Sequence, residues 1–377
     1  MSWKFPYYID SVTDEYWVNL ASKHDWISDM ADTIQDAIHH GEGDVATHTR
    51  MVLTELLNDS DFQSLEEQDK HILFASIIFH DVEKRSTTVL EDDGRVTSKG
   101  HSKRGESTTR DILYKDIPTP FFIREHICNL VRFHGTPLWS INRNDPNKSV
   151  IEVSMLVNTK LLEILARCDV KGRICEDKND LLERVELFKE LCIENKCYGA
   201  PREFESSQSR YTYLSKGGSP DYVPFEKDIF KVYLMSAVAG SGKDTWIKNN
   251  LPNIPMISLD DIRREHKIKP TNKKGNGQVI QISKEKAREY LRKKESFIWN
   301  GTNITRQLRK QLVDLFMTYK ADVEIVYIEV PYRTLLKQNN DRENKVPKNV
   351  VEKMIRNREV PVWSEATDIK YVVDEKH

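Results

Sequence analysis

The sequence predicts a two-domain protein: an all-α helical domain followed by an α/β domain built on a mainly parallel sheet. Three observations carry that expectation. The chain has 377 residues, enough for two parts that each bury a core of their own. Its first ~200 residues place apolar side chains mainly at helical spacing, with few stretches that alternate with period two. Beyond about residue 228 short apolar runs alternate with helical patterns, as in a sheet whose strands are joined by helices.

Taken in order, Ile72 to Phe79 is an uninterrupted apolar run, the mark of a buried helix. Leu161, Leu162, Ile164 and Leu165 lie in a second helix, and residues 181–191 repeat apolar positions at helical spacing. Residues 89–101, with Asp92-Asp93-Gly94 at their centre, read as a loop or small hairpin. Residues 198–224 are dense in Pro, Gly and Ser and read as a connector. The expected division is therefore 1–200, a linker at 201–227, and 228–377. In the last part, 229–238, 255–259, 297–299, 323–330 and 369–373 read as strands. Residues 243–250, 283–294 and 305–319 read as helices, with Ser283 as an N-cap, and Pro331 suits the first turn of another.

Hydrophobic residues make up 38% of the chain and charged residues 31%, the composition of a soluble globular protein. No apolar run approaches the roughly 18 residues that span a bilayer, and no apolar segment suited to a secretory signal follows Met1. The five cysteines form no Cys-x-x-Cys, which argues against a disulfide framework or a zinc knuckle. A cytoplasmic protein without membrane contact is expected. The net charge of −2 hides an asymmetry. Residues 228–377 hold 29 Lys+Arg against 20 Asp+Glu, and the remainder 28 against 39. The C-terminal part suits a polyanion, although single runs such as Arg292-Lys293-Lys294 also serve to solvate helix faces.

Gly240-Ser241-Gly242-Lys243 follows an apolar strand and opens a helix. This is the context of a P-loop, whose backbone N–H groups face phosphates and whose lysine adds charge. Ala237 stands where the general pattern has Gly, and Asp244 where it has the Ser or Thr that binds Mg²⁺; Thr245 follows. Asp260-Asp261-Ile262-Arg263 comes after the second strand, at the sheet edge where ligands bind. There a carboxylate can take a proton from an attacking hydroxyl and an arginine can offset phosphoryl charge; equally, Asp260 can cap the next helix. Asn303 either holds the acceptor or caps the helix near Thr305. Arg342 lies in a polar stretch ending in Val346-Pro347, suited to a lid. These motifs, over residues 230–373, resemble the 5′-OH polynucleotide kinases of the phage end-healing family. The resemblance implies ATP or another NTP with Mg²⁺ as cofactor, held by Gly240, Ser241, Gly242, Lys243, Asp244 and Thr245. It implies Asp260 as general base, Arg263 on the acceptor-side phosphate and Arg342 as a clamp on the donor. That family has Asp at the position of Gly301. The basic stretch Lys273 to Gln278 reads as a flexible insertion that helps hold a nucleic-acid strand.

His80-Asp81 ends the apolar helix, His48 lies on an earlier helical pattern and Asp169 follows a third. Two imidazoles and two carboxylates on one divalent ion leave positions for water and substrate. His101 and His134 can supply a second ion. Each histidine alone is as well explained as a structural residue; the ordered set is not. It resembles the HD-domain phosphohydrolases over residues 44–197, which implies one or two divalent transition-metal ions, metal-assisted hydrolysis of a phosphoester, and a phosphate contact for Lys84. His24, His39, His40, His71, His126, His266 and His377 read as structural or surface residues.

The order of the two modules resembles the bacterial HD-Pnk RNA end-healing enzymes. That resemblance implies a bifunctional 5′-OH polynucleotide kinase and 2′/3′-phosphatase acting on nucleic-acid 5′-OH and 3′-phosphate ends of RNA, with a separate RNA ligase as partner. Two other readings fit the motifs: a nucleoside or nucleotide kinase fused to a nucleotidase or cyclic-nucleotide phosphodiesterase, and a regulatory nucleotide-binding module.

Overall fold

A computed structural model describes residues 2–225, 230–269 and 271–373, the side chain of Lys273 excepted. The chain divides into two compact units, Met1–Glu203 and Phe204–His377. The first is helical. Its centre is the helix Glu67–Phe79, in which every residue from His71 to Phe79 is buried; a helix apolar on all sides has to lie inside. The helices Val45–Asn58, Phe121–Phe133 and Thr159–Lys171 pack around it. Asp44 caps the first of these by accepting from Thr47 N at 2.8 Å, and Asn158 caps the third. The stretch around Asp92-Asp93-Gly94 is a hairpin of two short strands, β1 (Val89–Leu90) and β2 (Val96–Thr97). It leads into the helix His101–Lys115.

The second unit is an α/β domain around a five-stranded parallel sheet. Its strands are β3 (Lys231–Ala237), β4 (Met256–Ser258), β5 (Phe297–Asn300), β6 (Asp322–Glu329) and β7 (Asp368–Val373), in the order β4-β5-β3-β6-β7. The sheet is apolar on both faces. Val232, Leu234, Trp299, Val323 and Ile325 belong to one core, and Met235, Ala237, Ile298, Val326 and Ile328 to the other, as a parallel sheet covered on both sides requires. Connections leave β3 and β6 in opposite directions. The crevice at their carboxyl ends is thus the place where such sheets bind ligands.

Four local expectations change. Residues 201–227 are not wholly a connector, because Ser206 caps a helix, Ser207–Lys216. That helix docks on the second unit: Arg210 donates to Thr367 O at 3.1 Å and stacks on Trp363, 4.4 Å from the ring centre. Ser283 is not an N-cap; it is buried inside the long helix Lys273–Lys293, with its hydroxyl on Val279 O at 2.8 Å. The stretch Lys273 to Gln278 is therefore the start of a helix capped by Asn272, not a flexible insertion. Ile268 packs so closely there that a Cβ on Gly275 would lie 2.6 Å from its Cγ2, so that this glycine is helical against its propensity at a point where only glycine fits. Asp169 lies within the helix Thr159–Lys171 rather than after it. The expected strand start at Ile229 falls outside the described residues.

Candidate functional site

In the helical unit, residues far apart in sequence converge. His48, His80 and Asp169 each bring one ligand atom within 4.8 Å of the others, and so do Asp81, His101 and His134. Asp81 links the two groups. Its Oδ2 lies 3.2 Å from His80 Nε2 and 3.9 Å from His48 Nε2. Its Oδ1 lies 3.4 Å from His101 Nε2 and 3.9 Å from His134 Nε2. His48 Nε2 stands 3.0 Å from Asp169 Oδ1. All are buried except His101, whose side chain is 23% exposed and marks the open side of the cluster.

The chain also fixes which nitrogen each imidazole offers. His80, His101 and His134 sit at helix ends, and each directs Nδ1 to the carbonyl three residues earlier: Ile77 O at 2.7 Å, Ser98 O at 2.8 Å and Val131 O at 2.8 Å. A carbonyl only accepts, so Nδ1 carries the proton and Nε2 presents a lone pair. The Nε2 atoms of His101 and His134 are 3.3 Å apart, two lone pairs facing each other across a gap suited to a cation. His80 Nε2 and Asp81 Oδ1 are buried without a hydrogen-bond partner, a costly arrangement for a protein interior unless an ion satisfies them. Imidazoles with carboxylates suit a transition metal of the Mn, Fe, Co, Ni or Zn type. The residues therefore fit the divalent ions expected from sequence.

Electrostatics agree with this division. Burial opposes ionisation of Asp81, yet Lys84 and His80 outweigh it and hold the carboxyl well below the usual range. Asp169 is likewise held low against burial by Arg173 and His48. Burial alone would lower His80, but Asp81 and Asp169 raise it. Burial lowers His101 and, together with the neighbouring His101, brings His134 to about 3, so both stay neutral and able to ligate. Lys84 touches Asp81 Oδ2 at 2.8 Å and Gln35 Oε1 at 2.6 Å.

Several neighbours had gone unrecognised in the sequence. Arg173 grips Asp169 with two bonds, at 3.2 and 2.5 Å. The i,i+4 spacing of this pair on one helix was a readable signal. Glu42, with a fully buried side chain, contacts Nδ1 of both His40 and His48 at 2.8 Å. His40, read as a bland histidine, also lies 3.4 Å from Lys84 Nζ, and burial lowers it to about 4. His71 and His126 do have structural roles, accepting from Phe5 N and Asn158 N.

In the second unit the glycine-rich loop joins β3 to the helix Lys243–Asn250. Gly240 and Gly242 have φ of 96° and 83°, a region open mainly to glycine. A Cβ on Gly240 would also lie 3.3 Å from Asn339 Cβ, so the helix Tyr332–Asp341 covers the loop. Ser241 is buried, with its hydroxyl donating to Val238 O. Lys243 Nζ lies 3.3 Å from Asp244 Oδ1, which also accepts from Asn300 Nδ2 at 2.9 Å. Burial opposes ionisation of Asp244, but Lys243, Asn300 and Arg342 together lower it. Thr245 is exposed, and Arg342, half-buried, follows the covering helix. Oxygen donors on Asp244 and Thr245 suit Mg²⁺.

Asp260 and Arg263 pair with each other on the helix Leu259–Glu265, just past β4. Ser258, not Asp260, caps that helix. No hydrogen bond or ion pair among the described residues joins this pair to the Lys243 group. Asn303 serves neither as N-cap nor as an open polar group. Thr305 is the cap, and the buried Asn303 amide donates to Met235 O at 2.7 Å, tying the loop after β5 to β3. Its side chain folds over Gly301, where a Cβ would meet it at 3.2 Å; an Asp there would displace it.

Residues 232–361 match the family described as an AAA domain. Among solved structures, a chain of the "Structure of the Pnkp1/Rnl/Hen1 RNA repair complex" is 17% identical with a TM-score of 0.32, and the alignment covers 37% of this chain and 46% of that one. No helix among the described residues is long and apolar enough to cross a membrane. The C-terminal unit is thus a P-loop nucleotide-binding domain of kinase-like type, similar over most of its length to AAA domains.

Proposed function

We propose that the chain is a bifunctional end-healing enzyme for RNA, combining an NTP-dependent 5′-OH polynucleotide kinase with a metal-dependent 2′/3′-phosphatase. The observation that carries this reading is the buried cluster of four histidines and two carboxylates with Nε2 lone pairs turned inward, on a chain that also bears a P-loop. Such a cluster suits hydrolysis of a phosphoester. A P-loop suits transfer of a phosphoryl group. Ends left by many ribonucleases need both reactions before a ligase, here a separate RNA ligase, can join them.

For the kinase, Lys243 and the loop amides hold the donor phosphates of ATP or another NTP, and Arg342 closes on them. The 5′-hydroxyl attacks the γ-phosphorus in line as its bond to the β–γ bridging oxygen breaks and the nucleoside diphosphate leaves, Asp260 takes the hydroxyl proton, and Arg263 orients the acceptor phosphate. A cavity of about 680 Å³ beside the helix Lys273–Lys293, with Lys274, Gln278 and Gln281 in its lining, offers polar groups to an acceptor. Arg263 Nε donates to Asn276 Oδ1 at 3.0 Å, one residue before Gly277 of that lining. In the phosphatase, His48, His80, Asp81, His101, His134 and Asp169 would hold one or two divalent ions, which supply Lewis acidity and an acidified water. Lys84 and Arg173 hold Asp81 and Asp169 ionised. In hydrolysis a water oxygen would bond to phosphorus as the P–O bond to the sugar breaks, and the proton lost by the water would be balanced by one gained on the leaving oxygen.

The test is an oligoribonucleotide with 5′-OH and 3′-phosphate ends, incubated with ATP and a panel of divalent ions, with both ends analysed. Lys243→Ala should abolish 5′-phosphorylation and spare phosphate release. Asp81→Ala should do the reverse, each by at least a hundredfold. Loss of both activities in either variant would refute two independent sites.

A further inference from the structure

The loop that carries Arg342 spans two helices, and one side chain fastens it. The helix Tyr332–Asp341 ends just before Arg342, and the helix Lys348–Asn357 begins after Pro347. Asp341, Glu343, Asn344 and Lys345 are exposed. No hydrogen bond or ion pair among the described residues engages the side chains of residues 342–345. The loop is held at its far end instead. Asn339 Nδ2 donates to Val346 O at 2.8 Å, and Asn339 Oδ1 accepts from Val346 N at 3.2 Å. An asparagine amide offers a donor and an acceptor side by side, as a peptide group does, so the pair closes the loop much as a β-bridge would. Val346 precedes Pro347, a position biased to extended backbone. The same asparagine touches the P-loop. It is 4% exposed, and a Cβ on Gly240 would lie 3.3 Å from its Cβ and 3.5 Å from its backbone N. Its stem thus rests on the phosphate-binding loop while its amide holds the loop of Arg342. Arg342 in turn acts on the P-loop: burial opposes ionisation of Asp244, whereas Lys243, Asn300 and Arg342 favour it.

We propose that Asn339 is the positioning residue of the donor clamp, pinning the loop 340–346 against the P-loop so that Arg342 meets the phosphates of a bound nucleoside triphosphate. This inference rests on the reading of Arg342 as that clamp. A loop anchored only at its two ends samples many conformations, and fixing each residue carries an entropic cost. The two amide bonds offset part of that cost before the nucleotide arrives, so less of the binding energy goes into ordering the loop. Leucine has nearly the shape of asparagine but neither donor nor acceptor. In place of Asn339 it keeps the packing on Gly240 and releases Val346. Aspartate keeps an acceptor for Val346 N but sets an oxygen against Val346 O, and two acceptors repel. Both changes loosen the loop, and neither removes a group that touches the phosphates.

The experiment measures transfer of phosphate from ATP to a 5′-OH oligoribonucleotide by the full-length protein, as wild type, Asn339→Leu, Arg342→Ala and the double variant. Asn339→Leu should lower kcat/KM for ATP by about tenfold, within the range for a misplaced positioning group, with KM for the oligonucleotide unchanged. In the Arg342→Ala background the same substitution should change kcat/KM for ATP by less than about twofold, because residues that act through one another are not additive. The full loss in both backgrounds would mean that Asn339 supports the P-loop by packing rather than through Arg342, and it overturns the proposal. So does an unchanged kcat/KM in the single variant. If Asn339→Leu does not fold, Asn339→Asp replaces it in the same cycle, with the same result expected and the same results overturning the proposal. Should Arg342→Ala by itself keep the wild-type kcat/KM, the clamp reading of Arg342 is what fails, and the role of Asn339 falls with it. A wild-type chain that transfers no phosphate refutes the kinase itself.

Discussion

Asp81, Asp169 and Glu125 are buried carboxylates, and each stays ionised because cations touch it. What distinguishes them is what remains unsatisfied. Glu125 is gripped by Arg110 Nε at 3.1 and 2.9 Å, by Arg110 Nη2 at 2.8 Å and by Arg124 Nε at 2.9 Å, so both oxygens are engaged by guanidinium. Asp81 instead keeps Oδ1 free of hydrogen bonds and turned toward two imidazole nitrogens. The first is a packing device and the second an invitation to a cation. The difference gives a pH prediction for Glu125. Burial raises its pKa, but Arg110 and Arg124 outweigh that and hold it at about 2, against roughly 4.3 in an unfolded chain. A depressed carboxyl stabilises the fold above its unfolded value and loses that contribution as pH falls from about 4 to about 2, on the order of 3 kcal/mol. Glu125→Gln removes the charge of a carboxylate shared by two buried arginines and should be less stable at neutral pH, by about 3–5 kcal/mol. Denaturant melts should then show the two proteins converging toward pH 2; a constant gap from pH 7 to pH 2 would contradict the coupling.

Helices set the histidine–carboxylate cluster by their ends and by their close approach. Gly172, which ends the helix bearing Asp169, abuts the helix bearing His48: a Cβ there would lie 2.8 Å from Val52 N and 2.7 Å from Val52 Cγ2. Gly172→Ala should push those two helices apart, cost about 1–3 kcal/mol, and weaken Co²⁺ binding through the 3.0 Å His48–Asp169 contact. Calorimetry and thermal melts of the same sample check both, and an unchanged affinity would mean that the contact is not set by this crossing. The same scale explains what the sequence could disclose. His80-Asp81 was legible because an unbroken apolar run ends at it, and strands β3 to β7 because their apolar runs are bounded by turn residues. Glu42 was not legible, since its position depends on Ile174, 132 positions away, and on a histidine whose neighbours suggest nothing. The start of the helix Lys273–Lys293 was hidden by its two glycines, which read as a flexible insertion, although Ile268 packs over Gly275. The helix Ser207–Lys216 was hidden by the Pro and Gly around it, although Ser206 is an ordinary cap.

Across the whole molecule, charge is divided as the chemistry would have it. The basic surplus lies in the part with the P-loop and the acidic surplus in the rest. On the proposed function, a phosphatase site charged by its own metal ions would need little help to attract a terminal phosphate. A kinase that must hold a strand beside its 5′ end needs cations along that strand. Lysine and arginine contacts to phosphates release counterions, so log affinity falls with log salt by about 0.7 per contact for a single strand. If three phosphates are engaged, binding of a 5′-OH oligonucleotide should weaken roughly twentyfold between about 50 and 200 mM salt. Lys274→Ala, in the lining of the cavity beside the helix Lys273–Lys293, should make that slope shallower by about one contact. Fluorescence anisotropy with a labelled strand measures both. A flat salt dependence, with a free nucleoside phosphorylated as well as the oligomer, would instead identify a small-molecule kinase, and the basic surface would then be no more than a solvated one.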